Sequence, residues 1–321
     1  MTTNNGTTTA QATRNGVALR CKGLVKRYPD VVAVNGLDLE IKFGECFGLL
    51  GPNGAGKTTT IEICEGLNSP DEGIVEILGH AWGSGHDTEM RNRFGVQLQE
   101  TKLSEKLTVE ETIKLFRSFY KQGRGVEELI QLVSLEEKRN SRVGKLSGGQ
   151  KQRLAIACAL AGDPELLFLD EPSTGLDPQA RLSVWEIVEQ FKAQGGSVVL
   201  TTHYMEEAAR LCERLAVMDH GKIIAQGTPT ELIHSLGADQ IIEFTIEGEL
   251  DHNELLNLQG VRGAHKTEEK YSLTVVNISE ALPALLSLIE RRSTNLITLT
   301  THQATLEDVF VSLTGRMLRD G

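Results

Sequence analysis

Residues 51 to 59 read Gly51-Pro52-Asn53-Gly54-Ala55-Gly56-Lys57-Thr58-Thr59, and the first eight have the G-x-x-x-x-G-K-[ST] spacing of a phosphate-binding loop. Before them, the short apolar run from Glu45 to Leu50 predicts a strand; after them, Ile61, Ile63, Cys64 and Leu67 predict a helix. Glycines at 51, 54 and 56 permit tight turns and bring backbone N–H groups against phosphate oxygens, at a helix start whose dipole favours anions. Lys57 is placed to bridge the β and γ phosphates of a nucleotide, and Thr58 to set its hydroxyl on Mg²⁺.

A phosphate loop alone does not choose among nucleotide hydrolases, so the carboxylates downstream matter. The apolar run Leu166 to Leu169 ends in Asp170 and Glu171, and Val198 to Thr202 ends in His203. Two buried-type strands thus deliver polar residues at their C-terminal ends, where α/β sheets bind ligands. Asp170 is suited to hold Mg²⁺ and Glu171 to polarise a water in line with the γ-phosphate. Between the two sites, Leu146-Ser147-Gly148-Gly149-Gln150 opens the helical segment KQRLAIACALA. Its start presents Ser147 and two side-chain-free backbone amides, which makes a second anion site. One site already has its own phosphate loop, so this second helix start is best used by another copy of the chain.

The whole-chain arithmetic excludes several classes. At 321 residues the chain has room for roughly two domains. A net charge of -11 lacks the basic excess of a general nucleic-acid binder. Five scattered cysteines without C-x-x-C spacing read as reduced thiols, and no apolar run approaches the roughly 18 residues that span a bilayer. Any work at a membrane therefore needs another chain to cross it. The Thr/Asn-rich residues 1–16 have neither a basic start nor an apolar core and read as a disordered tail rather than a signal peptide.

Alternation predicts strands at Val17 to Gly23, Gly36 to Lys42, Ile74 to Leu78 and Phe94 to Gln99, the last with Gln97 and Gln99 on one face. Residues 108 to 160 turn helical, opened by Thr108 and Glu111 as a capping box, with Ile113, Leu115, Phe116, Phe119 and Tyr120 as the apolar stripe. Beyond Gly237 the order becomes strand, helix, strand, strand, helix, strand and a last helix from Leu306, which suits a ferredoxin-like α+β unit. The expected organisation is a tail over 1–16, an α/β P-loop domain over 17–236 with a helical subdomain near 100–160, and an accessory α+β domain over 237–321.

With LSGGQ just ahead of LLFLDEP, the sequence from about Leu19 to Gly227 resembles the nucleotide-binding subunit of ABC transporters. The resemblance implies an ATPase that binds ATP with Mg²⁺ and dimerises head to tail, as a homodimer. Residues 51–59 of one chain and Ser147, Gly148, Gly149 and Gln150 of the other then face each nucleotide. It further implies that Tyr28 stacks on adenine and that Gln99 senses Mg²⁺ and the attacking water. Asp177, in Ser173-Thr174-Gly175-Leu176-Asp177, meets the partner subunit, and His203 holds the γ-phosphate. Gln97 departs from the family, which has an apolar residue there; Gln99 is the expected functional glutamine. The closing ATLEDVFVSLTGR is similar to the tail of drug-resistance exporter ATPases, whose partners are separate type 2 permeases. That implies a cytoplasmic subunit attached to the inner membrane face through a permease, exporting drugs, lipids or other small molecules, with no nucleic acid. The alternative is a soluble ABC ATPase working on nucleic acid or ribosomes, whose members carry coiled-coil insertions or two cassettes. This chain shows neither. A P-loop kinase or GTPase is disfavoured by the missing N-K-x-D and by a signature such enzymes have no use for.

Overall fold

A computed structural model describes residues 16–99, 101–237, 240–267 and 270–314. The expected tail lies outside the described residues except for Gly16, and so does the chain after Thr314. The chain divides into two compact units. One is drawn from the stretches up to Val25, from Gly36 to Cys46 and from Ile61 to Leu200; the other from Lys26–Asn35, Phe47–Thr60 and Thr201 onward.

In the first unit, strand Leu166–Asp170 pairs in parallel with Phe94–Gln97 and neighbours Ser197–Thr201 on its other side. Leu166–Asp170 and Ser197–Thr201 are buried along their whole length. Such continuous burial is what strands covered on both faces require, and it explains why they read as apolar runs rather than alternation. A second, antiparallel sheet contains Val17–Tyr28 paired with Glu72–Ile77, which in turn pairs with the two-residue strand His80–Ala81. Helices Asp87–Arg91, Val109–Arg117, Val126–Leu132, Gly148–Ala159 and Pro178–Ala193 also belong to this unit. The Thr108–Glu111 capping box forms as its spacing requires. The apolar stripe behind it is shorter than expected: Ile113 is buried, whereas the helix ends at Arg117 and Phe119 is 66% exposed.

The expected strand to Gln99 stops at Gln97. The cause is local, because the Leu98 carbonyl accepts from Gln97 Nε2 at 2.6 Å and from Thr101 Oγ1 at 2.9 Å. Side chains thereby occupy a group that a continuing ladder would use. Gln97 and Gln99 consequently do not share a face: Gln97 is buried and Gln99 exposed.

In the second unit, the strand entering the phosphate loop pairs in parallel with Arg214–Asp219, and Lys222–Gly227 adds an antiparallel edge. Helix Leu306–Thr314 packs on helices Met205–Leu211 and Pro229–His234, with Phe310 buried against Val217. The remaining chain forms a four-stranded antiparallel sheet in the order Val261–Thr267, Lys270–Val275, Gln240–Ile246, Leu296–Gln303. Helices His252–Leu256 and Ile278–Arg291 occupy the two crossover positions. This is the βαββαβ order of a ferredoxin-like unit. It has its own core, in which Ile242, Phe244 and Leu273 meet Leu285 and Ile289.

Candidate active site

The phosphate loop is set by close backbone approach. Gly56 has φ +101°, and a Cβ there would stand 2.1 Å from the carbonyl oxygen of Ala33, so only glycine fits. The loop is tied down by Gly221 N–H donating to Ala55 O at 3.0 Å and by Asn35 N–H donating to Gly221 O at 2.9 Å. Lys57, the first residue of helix Lys57–Glu65, is buried, and its ammonium donates to the carbonyls of Gly51 at 2.8 Å and Pro52 at 3.1 Å. A buried ammonium needs such partners, since an uncompensated charge away from water is costly. Asn53, Gly54 and Thr58 are exposed around this buried cation. A glycine-lined cradle with a fixed cation and open amide-bearing rim suits a polyphosphate. Tyr28 ends its strand 41% exposed, with Lys26 Nζ 5.7 Å from the ring centroid, and so offers an aromatic face.

In the first unit, Asp170 is buried at the end of its strand and Glu171 follows with φ +48°. The left-handed conformation costs a non-glycine residue about 1–2 kcal/mol. It turns the chain sharply out of the sheet. Gln99 Nε2 donates to Glu171 Oε2 at 3.2 Å, and Thr174 Oγ1 donates to the same oxygen at 3.1 Å. The structure therefore brings Gln99 to Glu171, and it leaves Gln97 in the interior with its Oε1 lacking a partner among the described residues. The sequence motif 173–177 assigns Thr174 no role of its own, although its place three residues after Glu171 in a turn is a usable signal.

Ser147 caps helix Gly148–Ala159 in a reciprocal box: Ser147 Oγ accepts from Gln150 N–H at 3.3 Å, and Gln150 Oε1 accepts from Ser147 N–H at 3.0 Å. The two glycines that follow differ. A Cβ on Gly149 would meet the Cβ of Ala180 at 2.6 Å, so this glycine allows helix Pro178–Ala193 to approach. A Cβ on Gly148 meets no atom of the described residues within 4 Å, which leaves that side of the helix start open among them. Asp177 caps helix Pro178–Ala193, accepting from Ala180 N–H at 2.9 Å ahead of a proline at the first helical position. In the second unit, half-buried His203 lies against the Tyr204 ring, with centroids 4.2 Å apart.

One acidic group had no sequence signal. Glu65, at the end of helix Lys57–Glu65, is 3% exposed, and neither carboxyl oxygen has a hydrogen-bond partner among the described residues. Burial, reinforced by the charges of Asp170 and Glu62, pushes its pKa up to about 8.

Residues 34–174 match the family model described as ABC transporter, and residues 227–314 match that of the ATP-binding protein DrrA1-3-like, C-terminal domain. The Nod factor export ATP-binding protein I of Burkholderia orbicola is 40% identical over 306 residues, covering 93% of this chain and 97% of the relative. The protein of the same name from Rhizobium sp. strain N33 is 40% identical over 309 residues, covering 94% and 98%. The chain belongs to the ATP-binding subunits of ABC transporters. Among solved structures, the ATP binding subunit of an ABC transporter is 32% identical with a TM-score of 0.62, covering 68% of this chain and 93% of that one. The dimeric cassette MJ0796 with ADP and Pi is 28% identical with a TM-score of 0.60, covering 65% and 98%.

This ABC ATPase has a cassette fold, and its relatives are transporter subunits; nothing in them favours the nucleic-acid or ribosome alternative. Among the described residues, no helix is long and apolar enough to cross a membrane.

Proposed function

We propose that this ABC ATPase powers export through a separate membrane permease, to which it is attached at the cytoplasmic face. Two copies would bind two ATP molecules head to tail. The supporting observation is similarity along almost the whole chain, cassette and C-terminal region together, to relatives named as export ATP-binding proteins. The exported molecule belongs to the drug, lipid or other small-molecule class, and the Nod factor named for the relatives is one candidate.

In this reading, the backbone N–H groups that residues 51–59 offer, Pro52 excepted, and the Lys57 ammonium bind the phosphates, while Tyr28 orients the adenine. Thr58, Asp170 and Gln99 are the residues that would hold Mg²⁺, and the ion would supply screening of the phosphate charge. Glu171 takes the role of general base or water-positioning carboxylate, its Oε2 oriented by Gln99 and Thr174. His203 steadies the γ-phosphate. Ser147, Gly148, Gly149 and Gln150 serve the partner's nucleotide through the open side at Gly148, and Asp177 contacts the partner while capping its own helix. The unit from 237 onward is an accessory domain that tunes dimer or permease contact.

Co-purification from detergent-solubilised membranes tests this directly. A polytopic permease should accompany the tagged chain. A ribosome or DNA complex in its place would overturn the transporter reading.

A further inference from the structure

Away from the nucleotide machinery, three potential metal donors converge on the antiparallel sheet of the first unit. His80 lies in the two-residue strand His80–Ala81, paired opposite Ile77. His86 immediately precedes helix Asp87–Arg91, and Glu89 follows one turn later. The two imidazole rings stack with centroids 4.2 Å apart and planes inclined by 24°. His86 Nδ1 lies 3.3 Å from Glu89 Oε2, and one ligand atom from each of the three residues falls within 4.8 Å of the others.

The loop joining the histidines is anchored at both ends. Gly83 N–H donates to Asp87 Oδ1 at 2.9 Å, Ser84 N–H to Ala81 O at 3.2 Å, and Met90 N–H to His86 O at 2.9 Å, with the Met90 side chain fully buried. Between the donors, the Trp82 indole N–H donates to Cys64 O at 2.9 Å. The backbone that carries the donors is therefore fixed, and only short exposed side-chain adjustments separate them from a common ion. A His86–Glu89 ion pair alone accounts for two of the groups, but gives no reason for the His80 ring to lie against His86.

We propose that His80, His86 and Glu89 bind one dication of the zinc class. Two imidazole nitrogens and one carboxylate oxygen are a donor set for Zn²⁺, Co²⁺ or Ni²⁺, with the remaining positions open to water or a further ligand. Mg²⁺ and Ca²⁺ favour all-oxygen shells, so the site discriminates against the ion that accompanies ATP. An ion there braces the loop whose Trp82 holds the end of helix Lys57–Glu65.

The test is calorimetric titration of Zn²⁺ into the full-length, metal-stripped, nucleotide-free protein, with and without excess Mg²⁺, alongside His80→Gln/His86→Gln and Glu89→Gln. These side chains are exposed or half-buried, and circular dichroism verifies that the variants fold. Wild type should bind one Zn²⁺ per chain, unaffected by Mg²⁺. Loss of second-shell partners alone costs about 10- to 100-fold in affinity, so loss of both imidazoles should weaken binding by more than 100-fold and that of Glu89 by at least 10-fold. Co²⁺ should give visible absorption bands in wild type that the double histidine variant lacks. Equal Zn²⁺ affinity in wild type and the double variant would overturn the proposal, as would displacement of Zn²⁺ by Mg²⁺, which would place the ion on oxygen ligands elsewhere.

Discussion

The Gln99 side-chain amide donates to Glu171 Oε2 at 3.2 Å, across 72 residues of sequence. This bond joins the turn after strand Phe94–Gln97 to the carboxylate at the end of strand Leu166–Asp170, and Thr174 supports the same oxygen. A carboxylate so held has one of its oxygens fixed in direction, which is what in-line positioning of a water requires.

Removing that restraint should separate the two glutamines. A hydrogen bond to a charged group is worth about 1.5–3 kcal/mol, so Gln99→Ala should lower steady-state ATP turnover by roughly tenfold or more with ATP affinity retained. Gln97→Leu should leave turnover near wild type, because its amide is buried and its Oε1 has no partner among the described residues. Parallel ATPase assays distinguish them; a larger loss in Gln97→Leu than in Gln99→Ala would reverse the assignment.

Glu65 makes stability depend on pH. Its folded pKa of about 8 exceeds the ordinary 4.5, so the folded state binds more protons through that window. Stability should fall as pH rises from about 4.5 to about 8, by at most ~1.4 kcal/mol per pH unit. Glu65→Gln lacks this loss. Urea unfolding of the nucleotide-free protein should show the variant gaining a few kcal/mol on wild type between about pH 5 and pH 8.5. A pH-independent difference would show that Glu65 ionises normally.

At Gly56, alanine meets both a carbonyl 2.1 Å from its Cβ and a φ of +101°. Gly56→Ala should unfold the loop locally, abolishing ATP binding and costing about 1–3 kcal/mol of stability. Equilibrium binding of a fluorescent ATP analogue and thermal melting check both effects.

Much of the candidate site was legible because its motifs are local. The loop at 51–58, the carboxylates at 170 and 171 and the capped helix after Ser147 each depend on residues within a few positions. Alternating strands likewise exposed the ferredoxin-like order after residue 237. What the sequence did not disclose depends on tertiary surroundings. The strand ends at Gln97 because two side chains take the Leu98 carbonyl, and burial pushes the pKa of Glu65 up to about 8. Asp177 before Pro178 could have been read as a helix cap from the Asp-Pro order alone.

Open space around Gly148 permits a clean test of trans completion. Gly148→Asp should fold and bind ATP normally, but set a carboxylate against the partner's γ-phosphate and block dimer closure. Heterodimers carrying Lys57→Ala on one chain and Gly148→Asp on the other concentrate both lesions at one composite site. They should retain more activity than heterodimers with both lesions on a single chain, given an active single-lesion control. Equal activities would indicate a self-contained site.

The most direct measurement is ATP turnover and nucleotide retention in Glu171→Gln. The substitution keeps the shape at Glu171 but removes the charge that polarises water, a contribution typically worth about 10²- to 10⁴-fold. Turnover should fall by at least that order while ATP affinity persists and an ATP-bound dimer accumulates on size-exclusion chromatography. Near-normal hydrolysis, with no trapped dimer, would contradict the assignment of Glu171 as the group that activates water.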